Sequence, residues 1–259
     1  MNKPSKSVIK EVRALEQRKY RREQGLFIAE SDKLVLDNLG VMRCRSLFAT
    51  PEWWQAHPQA AALAGECYEA DTLDSISLLR HPQNVMGVFE IPSLELKPED
   101  LAARLVLCLD TVQDPGNLGT IIRLCDWFGI RDIVCSRETA DCYAPKVVQA
   151  TMGAIARVRV HYTDLSAFLT RMRELGVPVY GTYLEGENIY TAGLSSNGVL
   201  IMGNEGNGIS PGLAPLVSRK LNIPSYPAGI PTSESLNVGI ATAIAVAEFR
   251  RRVNKVAFD

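Results

Sequence analysis

From residue 105 onward, short apolar runs alternate with stretches of helical periodicity, and this alternation limits the chain to few folds. The first run, Leu105–Leu109, is continuously apolar and is followed at once by turn residues, as expected of a strand buried on both faces. We predict strands over residues 105–109, 132–135, 178–182, 199–202 and 220–223, with helices between them. This order predicts an α/β fold with a mostly parallel sheet and helices on both faces.

The residues before this alternation predict a second, smaller α/β domain. The helices and strands that we expect there cover residues 6–23, 26–29, 32–39 and 85–90. Residues 91–100 have the composition of a linker, with two prolines and charges of both signs. We therefore expect domains at 1–97 and 98–259, and a chain of 259 residues with 46% hydrophobic residues can form both cores.

Positive charge is concentrated at the N-terminus, although the whole chain carries 28 Lys and Arg against 29 Asp and Glu. The basic residues of the first 22 positions are Lys3, Lys6, Lys10, Arg13, Arg18, Lys19, Arg21 and Arg22. Val8, Val12 and Leu15 keep helical spacing, which predicts an amphipathic helix with a basic face suited to phosphate contacts. A solvated surface helix without a ligand is the alternative interpretation.

Cysteine and histidine usage gives no sign of a metal site. The six cysteines form no C-x-x-C pair and several lie in apolar runs, where a free thiol behaves as a small hydrophobe. His57, His81 and His161 lie in unrelated contexts. The charged N-terminus has no apolar stretch behind it, and no segment has membrane-spanning length. We therefore expect a cytoplasmic protein with no bound metal and no membrane partner.

Polar residues follow the first predicted strand in a turn that opens a helix. Asp114-Pro115-Gly116-Asn117 has turn composition, and the helix after it ends at Gly129. Asn117 occupies an N-cap or first-turn position. Arg123 lies outside the apolar stripe, so its side chain should project from the helix. An ordinary capped helix with a solvated arginine is the alternative.

A glycine-rich loop follows the predicted strand at 199–202. The glycines of Gly203-Asn204-Glu205-Gly206-Asn207-Gly208 would let a ligand approach the backbone closely. Pro211 stands where the third glycine of a dinucleotide fingerprint is required, and the Lys-Ser/Thr of a P-loop is missing. The pattern favours a loop that holds an unphosphorylated ligand over a phosphate-binding loop, although a tight connection would look similar.

A third polar segment opens the last predicted helix, which is rich in small residues. Ser235 and Asn237 stand at its start, where side-chain oxygens either cap the helix or meet a ligand. The small residues after them indicate close packing against other backbone on more than one side.

In this order and spacing, the three segments resemble the signature motifs of the SpoU (TrmH-type) family of SPOUT RNA methyltransferases. The matching residues are Asp114-Pro115-x-Asn117-x-Gly119-x-x-x-Arg123, Gly203-x-Glu205-Gly206-x-Gly208, and Ile223-Pro224 with Ser235-Leu236-Asn237-Val238. The resemblance covers residues 105–251, including Met152-Gly153-Ala154, and extends more weakly to residues 19–30.

The chain departs from the family pattern at three places. Gly239 stands where the family usually has Ser, and Asn84 replaces a common Gly. The stretch between Pro224 and Ser235 is a few residues longer than usual. None of these departures removes a residue that the family uses for chemistry.

The resemblance implies a fold, a reaction and an assembly. The C-terminal domain would be a SPOUT domain with a deep trefoil knot, preceded by a small domain that recognises the substrate. The reaction would be transfer of a methyl group from S-adenosylmethionine to a ribose 2′-hydroxyl in RNA. Large-subunit ribosomal RNA is favoured over tRNA, because an N-terminal domain of this type is typical of the ribosomal enzymes. The family works as a homodimer and needs no metal.

The resemblance also assigns roles to residues. The catalytic set would be Asn117, Arg123, Glu205, Ser235 and Asn237, and the cofactor contacts would be Gly203, Ile223, Leu236 and Asn237. A guanidinium holds its proton strongly, so Arg123 is better suited to orienting a phosphate and stabilising negative charge than to acting as a base.

Other functions stay open at this point. A tRNA 2′-O-methyltransferase would carry the same motifs. A non-catalytic RNA-binding factor in ribosome assembly could keep this fold, although all five candidate catalytic residues are present. A nucleotide-dependent enzyme on a Rossmann-like sheet would share the alternation of strands and helices, but the chain lacks its glycine fingerprint.

Overall fold

A computed structural model describes residues 1–227, 230 and 233–256 of the chain, with side chains as far as Arg252. Its α-helices are α1 Lys6–Ala14, α2 Arg18–Gln24, α3 Asp32–Asn38, α4 Pro51–Ala56, α5 Pro98–Leu101, α6 Pro115–Trp127, α7 Pro145–Thr151, α8 Leu165–Glu174 and α9 Val238–Val256. Its β-strands are β1 Leu26–Glu30, β2 Cys44–Ala49, β3 Ala64–Glu69, β4 Val85–Glu90, β5 Leu105–Leu109, β6 Asp132–Cys135, β7 Arg159–Tyr162, β8 Val179–Asn188, β9 Gly198–Met202 and β10 Arg219–Asn222.

The first compact unit comprises residues 1–93 and 141–157. Its four-stranded sheet has the order β1-β4-β2-β3, in which β4 is antiparallel to both neighbours and β2 is parallel to β3. Ile28, Phe48 and Met86 form one buried core of this unit together with Val12 and Leu15, which belong to α1 and the turn after it. The amphipathic pattern of the N-terminal segment is thus satisfied by packing on this sheet.

The single helix predicted over residues 6–23 is wrong, because the chain forms α1 and α2 with a break between them. Gln17 has extended dihedral angles, φ −88° and ψ 133°. The buried guanidinium of Arg21 donates hydrogen bonds of 2.7 Å to the carbonyl oxygens of both Leu15 and Glu16, and it forms an ion pair with Asp141 at 2.7 Å. These bonds satisfy carbonyl groups that a helix end leaves without partners. Arg21 therefore supports the break and does not belong to the exposed basic face.

The second unit comprises residues 94–140 and 158–259. Its six strands are all parallel, in the order β10-β8-β9-β5-β6-β7. The α/β fold with a parallel sheet that the sequence predicts is confirmed. The strand β7 was not predicted, because its sequence, Arg-Val-His-Tyr, is short and half polar.

Helices cover both faces of the parallel sheet. Phe168 and Met172 of α8 pack in a core with Val106 and Val199 of the sheet. The ring of Phe249 in α9 lies 5.1 Å from that of Tyr180 in an edge-to-face arrangement. The adjacent strand residue, Val179, belongs to the α8 core, and successive side chains of a strand point to opposite faces. Each face is therefore closed by a helix, as the fully apolar strands require.

The strand order reverses between β5 and β9. The chain continues from β5 to β6 and β7 on one side, whereas β9 pairs with β5 on the other side. Ligands of open parallel sheets bind where the order reverses, outside the carboxyl ends of the strands. The turn that begins at Asp110 and the loop that begins at Gly203 follow these two strands directly.

The predicted division at residues 97 and 98, with separate roles for the two domains, stays a prediction, as does the trefoil knot. The compact units divide after Ser93, and the segment 141–157 between β6 and β7, which contains α7, lies in the first unit. Within the described residues, no helix is long and apolar enough to cross a membrane.

Candidate active site

The turn after β5 caps helix α6 and presents two of the candidate residues. The carboxylate of Asp114 accepts a hydrogen bond of 2.7 Å from the backbone N–H of Asn117, and Pro115 occupies the first helical position. This is a favourable helix start, because the proline lacks an N–H that would otherwise be unsatisfied. Asn117 is therefore a first-turn residue with a half-buried side chain. Arg123 lies six residues further on and is exposed, as predicted from its position outside the apolar stripe.

Asn117 joins the three polar segments in one hydrogen-bond network. Its side-chain Nδ2 donates to Oε1 of Glu205 in the glycine-rich loop. Its Oδ1 accepts a hydrogen bond of 2.9 Å from Nδ2 of Asn237. The amide group of Asn117 thus uses its donor and its acceptor on two segments that lie 88 and 120 residues away in the sequence.

Asn237 also caps the last helix. Its Oδ1 accepts hydrogen bonds from the N–H groups of Gly239 and Ile240, at 2.9 and 3.3 Å. The sequence left open whether this side chain caps the helix or meets a ligand. It caps the helix through Oδ1, and its Nδ2 donates to Asn117, while its contact with a ligand stays a prediction. Gly239, where the resembled family usually has Ser, borders the network, since a Cβ atom there would lie 3.2 Å from Oδ1 of Asn237.

The glycine-rich loop is a tight backbone structure closed on itself. Asn204 and Gly208 exchange backbone hydrogen bonds of 2.9 and 2.8 Å. A Cβ atom on Gly203 would overlap the backbone of Gly208 and Ile209, so only glycine fits there. The residues from Glu205 to Gly208 are exposed and leave the loop open to a ligand.

Asp110, Thr111 and Asn204, which no sequence pattern singled out, attach this loop to the end of β5. Nδ2 of Asn204 donates a hydrogen bond of 2.9 Å to the carbonyl oxygen of Thr111. The buried carboxylate of Asp110 accepts a hydrogen bond of 2.6 Å from the N–H of Ser210. The tendency of Asn and Asp to bond nearby backbone was a signal for these residues, but it does not identify partners about 100 residues away.

The remaining candidates lie after β10 and before α9. Ile223 directly follows β10 and is half-buried, while Leu236, beside Asn237, is 44% exposed. Ser235 is exposed, and no hydrogen bond of its side chain is recorded in the described part of the chain. The longer stretch between Pro224 and Ser235 contains residues 228, 229, 231 and 232, which lie outside the described residues.

The segment Met152-Gly153-Ala154 lies in the first unit, after α7. Met152 and Gly153 both have positive φ angles, 51° and 93°, and a Cβ atom on Gly153 would overlap the carboxylate of Asp37. Glycine is required at position 153 for both reasons.

Neither the buried thiols nor the buried histidine belongs to the polar network. Burial raises the pKa of the Cys108 and Cys125 thiols, so neither is an activated nucleophile. His161 lies 3.1 Å from the carboxylate of Asp132, which begins β6 at the opposite edge of the sheet from the polar network. Across residues 1–227, 230 and 233–256, no group of three or more His, Cys, Asp or Glu could hold a metal ion.

Comparison with known families gives two matches that together cover most of the chain. The SpoU rRNA Methylase family matches residues 104–247. The family described as an MRM3-like substrate binding domain matches residues 6–87. The first match contains the whole polar network, and the second contains the basic N-terminal helices.

Individual relatives match over nearly their full lengths. The 23S rRNA (guanosine(2553)-2′-O)-methyltransferase RlmP of Bacillus subtilis is 31% identical over 248 residues, which cover 93% of this chain and 95% of that protein. A solved TrmH-family structure from Porphyromonas gingivalis is 41% identical with a TM-score of 0.88, and covers 96% of this chain and 99% of its own. The structure of the AdoMet-bound rRNA methyltransferase of Sinorhizobium meliloti is 32% identical with a TM-score of 0.84, and the match covers 98% of this chain and 97% of that chain.

Proposed function

The chain belongs to the SpoU rRNA methylase family, and from this premise we propose that Asn117, Glu205 and Asn237, together with Arg123, form its catalytic centre. The enzyme transfers a methyl group from S-adenosylmethionine to a ribose 2′-hydroxyl of ribosomal RNA. The observation that carries the assignment of residues is the hydrogen-bond network, in which Asn117 connects the glycine-rich loop to the start of α9.

The residues of the chain have to align a weak oxygen nucleophile and help it to lose a proton. S-adenosylmethionine, when bound, supplies a methyl group that is already activated by a positively charged sulfur. Alignment and assistance with one proton are therefore the main tasks left to the protein, and both are served by fixed polar side chains.

Arg123 suits the phosphate beside the target ribose. Its side chain is exposed on α6, and the described residues provide it with no recorded ion-pair partner. A guanidinium offers two parallel N–H donors to phosphate oxygens and keeps its charge at any physiological pH. We assign Arg123 to holding the RNA backbone and stabilising negative charge on the ribose oxygen as the proton leaves.

The network of Asn117, Glu205 and Asn237 suits the hydroxyl itself. Glu205 is the anionic member, and the hydrogen bond from Asn117 orients its carboxylate. The second carboxylate oxygen can accept a hydrogen bond from the ribose hydroxyl, and the exposed hydroxyl of Ser235 completes the polar surroundings. Asn237 fixes the orientation of the Asn117 amide from the other side.

The residues beside this network fit S-adenosylmethionine. Leu236 and Ile223 offer apolar surface for an adenine ring, and the open glycine loop allows close approach to its backbone. The carboxylate of Glu205 offers a negative charge to a ligand with a positive sulfur. We assign Gly203, Ile223, Leu236 and Asn237 to cofactor contacts.

The exposed basic residues of α1 and α2 suit RNA phosphates. Lys6, Lys10, Arg18, Lys19 and Arg22 are exposed, whereas Arg21 is buried against Asp141. Such contacts release counterions, so RNA affinity should fall steeply with salt. The match of residues 6–87 to a substrate-binding domain supports this assignment.

A second copy of the chain is the proposed protein partner. Helices α6 and α9 pack against each other, and each exposes a large apolar residue, Trp127 at 85% and Ile240 at 54%. Exposed apolar surface of this kind can be covered in an interface, and the resemblance to a family that works as a homodimer supports this partner. We propose a homodimer formed through these helices. Because Cys44, Cys67, Cys108 and Cys125 are thiols that form no disulfide, we also propose the reducing cytoplasm as its compartment.

Transfer of labelled methyl groups to separate RNA pools tests the function. The purified protein is incubated with methyl-labelled S-adenosylmethionine and unmodified large-subunit rRNA, small-subunit rRNA or tRNA, and labelled nucleotides are mapped. We expect one labelled ribose in large-subunit rRNA. Label in tRNA alone would contradict the substrate, and RNA binding without any S-adenosylmethionine binding would indicate a non-catalytic assembly factor.

A further inference from the structure

The side chain of Asn204 makes three hydrogen bonds, two within the glycine-rich loop and one to the turn after β5. Its Oδ1 accepts hydrogen bonds from the N–H groups of Gly206 and Asn207, at 2.9 and 3.1 Å, which folds the loop around it. Its Nδ2 donates outward, at 2.9 Å, to the carbonyl oxygen of Thr111. One side chain therefore both shapes the glycine-rich loop and attaches it to the turn that leads to Asn117.

The turn at Thr111 is held in an unusual conformation. Thr111 has φ 59°, which a β-branched residue rarely adopts. Its carbonyl oxygen accepts the bond from Asn204, and its N–H donates a hydrogen bond of 3.0 Å to Oγ of Ser136. Such a conformation persists only where neighbouring groups fix it on several sides. Asn204 is one of the groups that fix it.

A second bond attaches the other end of the loop to the same place. The buried carboxylate of Asp110 accepts a hydrogen bond of 2.6 Å from the N–H of Ser210 and one of 3.1 Å from the hydroxyl of Thr111. The loop from Gly203 to Ser210 is thus attached at both ends to the two residues that follow β5. Glu205 lies within it and reaches Asn117 from there.

We infer that Asn204 is a positioning residue that, with Asp110, locks the glycine-rich loop to the strained turn at Thr111 and thereby sets the contact between Glu205 and Asn117. The expected effect of Asn204 on the rate of methyl transfer rests on the proposed function. Asn204 acts through Glu205 and the loop backbone and does not itself touch the RNA.

The test compares Asn204→Asp with Asn207→Asp. Asn204→Asp keeps an acceptor for the two loop N–H groups but loses the donor to Thr111, so that a carboxylate faces the carbonyl oxygen of Thr111. Asn207 is exposed in the same loop, and its substitution adds the same charge without removing that bond. Single-turnover methyl transfer, S-adenosylmethionine affinity by calorimetry and thermal unfolding are measured for both variants.

We expect the single-turnover rate of Asn204→Asp to lie at least tenfold below that of Asn207→Asp, which measures the effect of the added charge in the loop, and we expect Asn204→Asp to bind S-adenosylmethionine more weakly than Asn207→Asp does, with similar melting temperatures for the two variants. In combination with Glu205→Gln, the loss should be much smaller than the product of the two single effects. Equal effects of the two substitutions, or full additivity with Glu205→Gln, would overturn the inference. Failure of the parent protein to methylate any RNA would instead count against the proposed function, and the affinity comparison would still decide whether Asn204 anchors the loop.

Discussion

The shape of the glycine-rich loop depends on the absence of a side chain at Gly203. Gly203 lies so close to the backbone of Gly208 and Ile209 that a Cβ atom would force the loop apart. We predict that Gly203→Ala weakens S-adenosylmethionine affinity at least tenfold in calorimetry, because the proposed cofactor contacts depend on the closed loop. Gly212→Ala is the matched control, since a Cβ atom there has no neighbour within 4 Å. Equal affinities of the two variants would contradict this account of the loop.

Sequence reasoning succeeded for residues whose role follows from local spacing. The exposure of Arg123 followed from the apolar stripe of its helix, and the tight loop after β9 followed from the glycines there. The reason why position 203 requires glycine, the close backbone of Gly208 and Ile209, did not follow from the sequence. Asp110 and Asn204 could not be identified in this way. Their partners, Ser210 and Thr111, lie 100 and 93 residues away, and such pairs are brought together only by the packing of β5 beside β9.

The break between α1 and α2 shows the same limit at the scale of an element. Apolar spacing predicts helix through this region, but the conformation is decided by Arg21, which bonds the carbonyl groups of Leu15 and Glu16 and pairs with Asp141. A guanidinium that leaves solvent must find such partners, and no local pattern reveals them. The short strand β7 was missed for a related reason, since its pairing with β6 and not its composition makes it a strand.

Arg21 and Arg22 are adjacent arginines, the first buried and the second exposed, which gives a matched test. We predict that Arg21→Ala lowers the free energy of unfolding by about 3 kcal/mol in urea titrations, because Asp141 and two carbonyl groups lose a buried charged partner. Arg22→Ala removes an exposed charge and should leave stability unchanged while weakening RNA binding and its salt dependence. Equal stabilities of the two variants would contradict the structural role of Arg21.

Near the amino-terminal ends of β6 and β7, the charged cluster of Asp132, Arg159 and His161 forms an electrostatic clamp between the two strands. Asp132 accepts two hydrogen bonds of 2.7 Å from Arg159 and lies 3.1 Å from His161. Burial alone would raise the pKa of Asp132, but the bonds with His161 and Arg159 outweigh it and hold the pKa at about 2, below its ordinary 3.8. A lowered pKa means that the ionised carboxylate stabilises the fold above pH 3.8 and that this stabilisation is lost as the pH falls towards 2.

We predict that Asp132→Asn lowers the free energy of unfolding by about 2 kcal/mol at pH 7, the amount that corresponds to this pKa shift. The difference in the free energy of unfolding between parent and variant should shrink to about half at pH 3, because this pH lies below the ordinary pKa of an aspartate and near the lowered pKa of Asp132. Urea unfolding of both proteins at the two pH values measures this. A difference that is the same at pH 7 and pH 3 would contradict the clamp.

At the scale of the whole molecule, the sequence pattern predicts the parallel sheet but not which residues meet in the polar network. Alternating apolar runs predicted a parallel sheet with covered faces, because strands buried on both sides need continuous apolar sequence. Which strands are neighbours did not follow from those runs. The adjacency of β5 and β9 brings Asn117 and Glu205 together, and the start of α9 adds Asn237. Only the resemblance of the motifs to a family indicated that these three segments would meet.

The central claim is that Arg123 and the Asn117 network carry out methyl transfer at one site. The most direct measurement is the single-turnover rate of Arg123→Ala on large-subunit rRNA, with S-adenosylmethionine affinity determined on the same preparation. We predict a rate at least 100-fold below the parent, equivalent to about 2.7 kcal/mol of lost transition-state stabilisation, with unchanged cofactor affinity, because Arg123 serves the RNA phosphate alone. A rate within threefold of the parent, or loss of cofactor binding in step with the rate, would contradict the account.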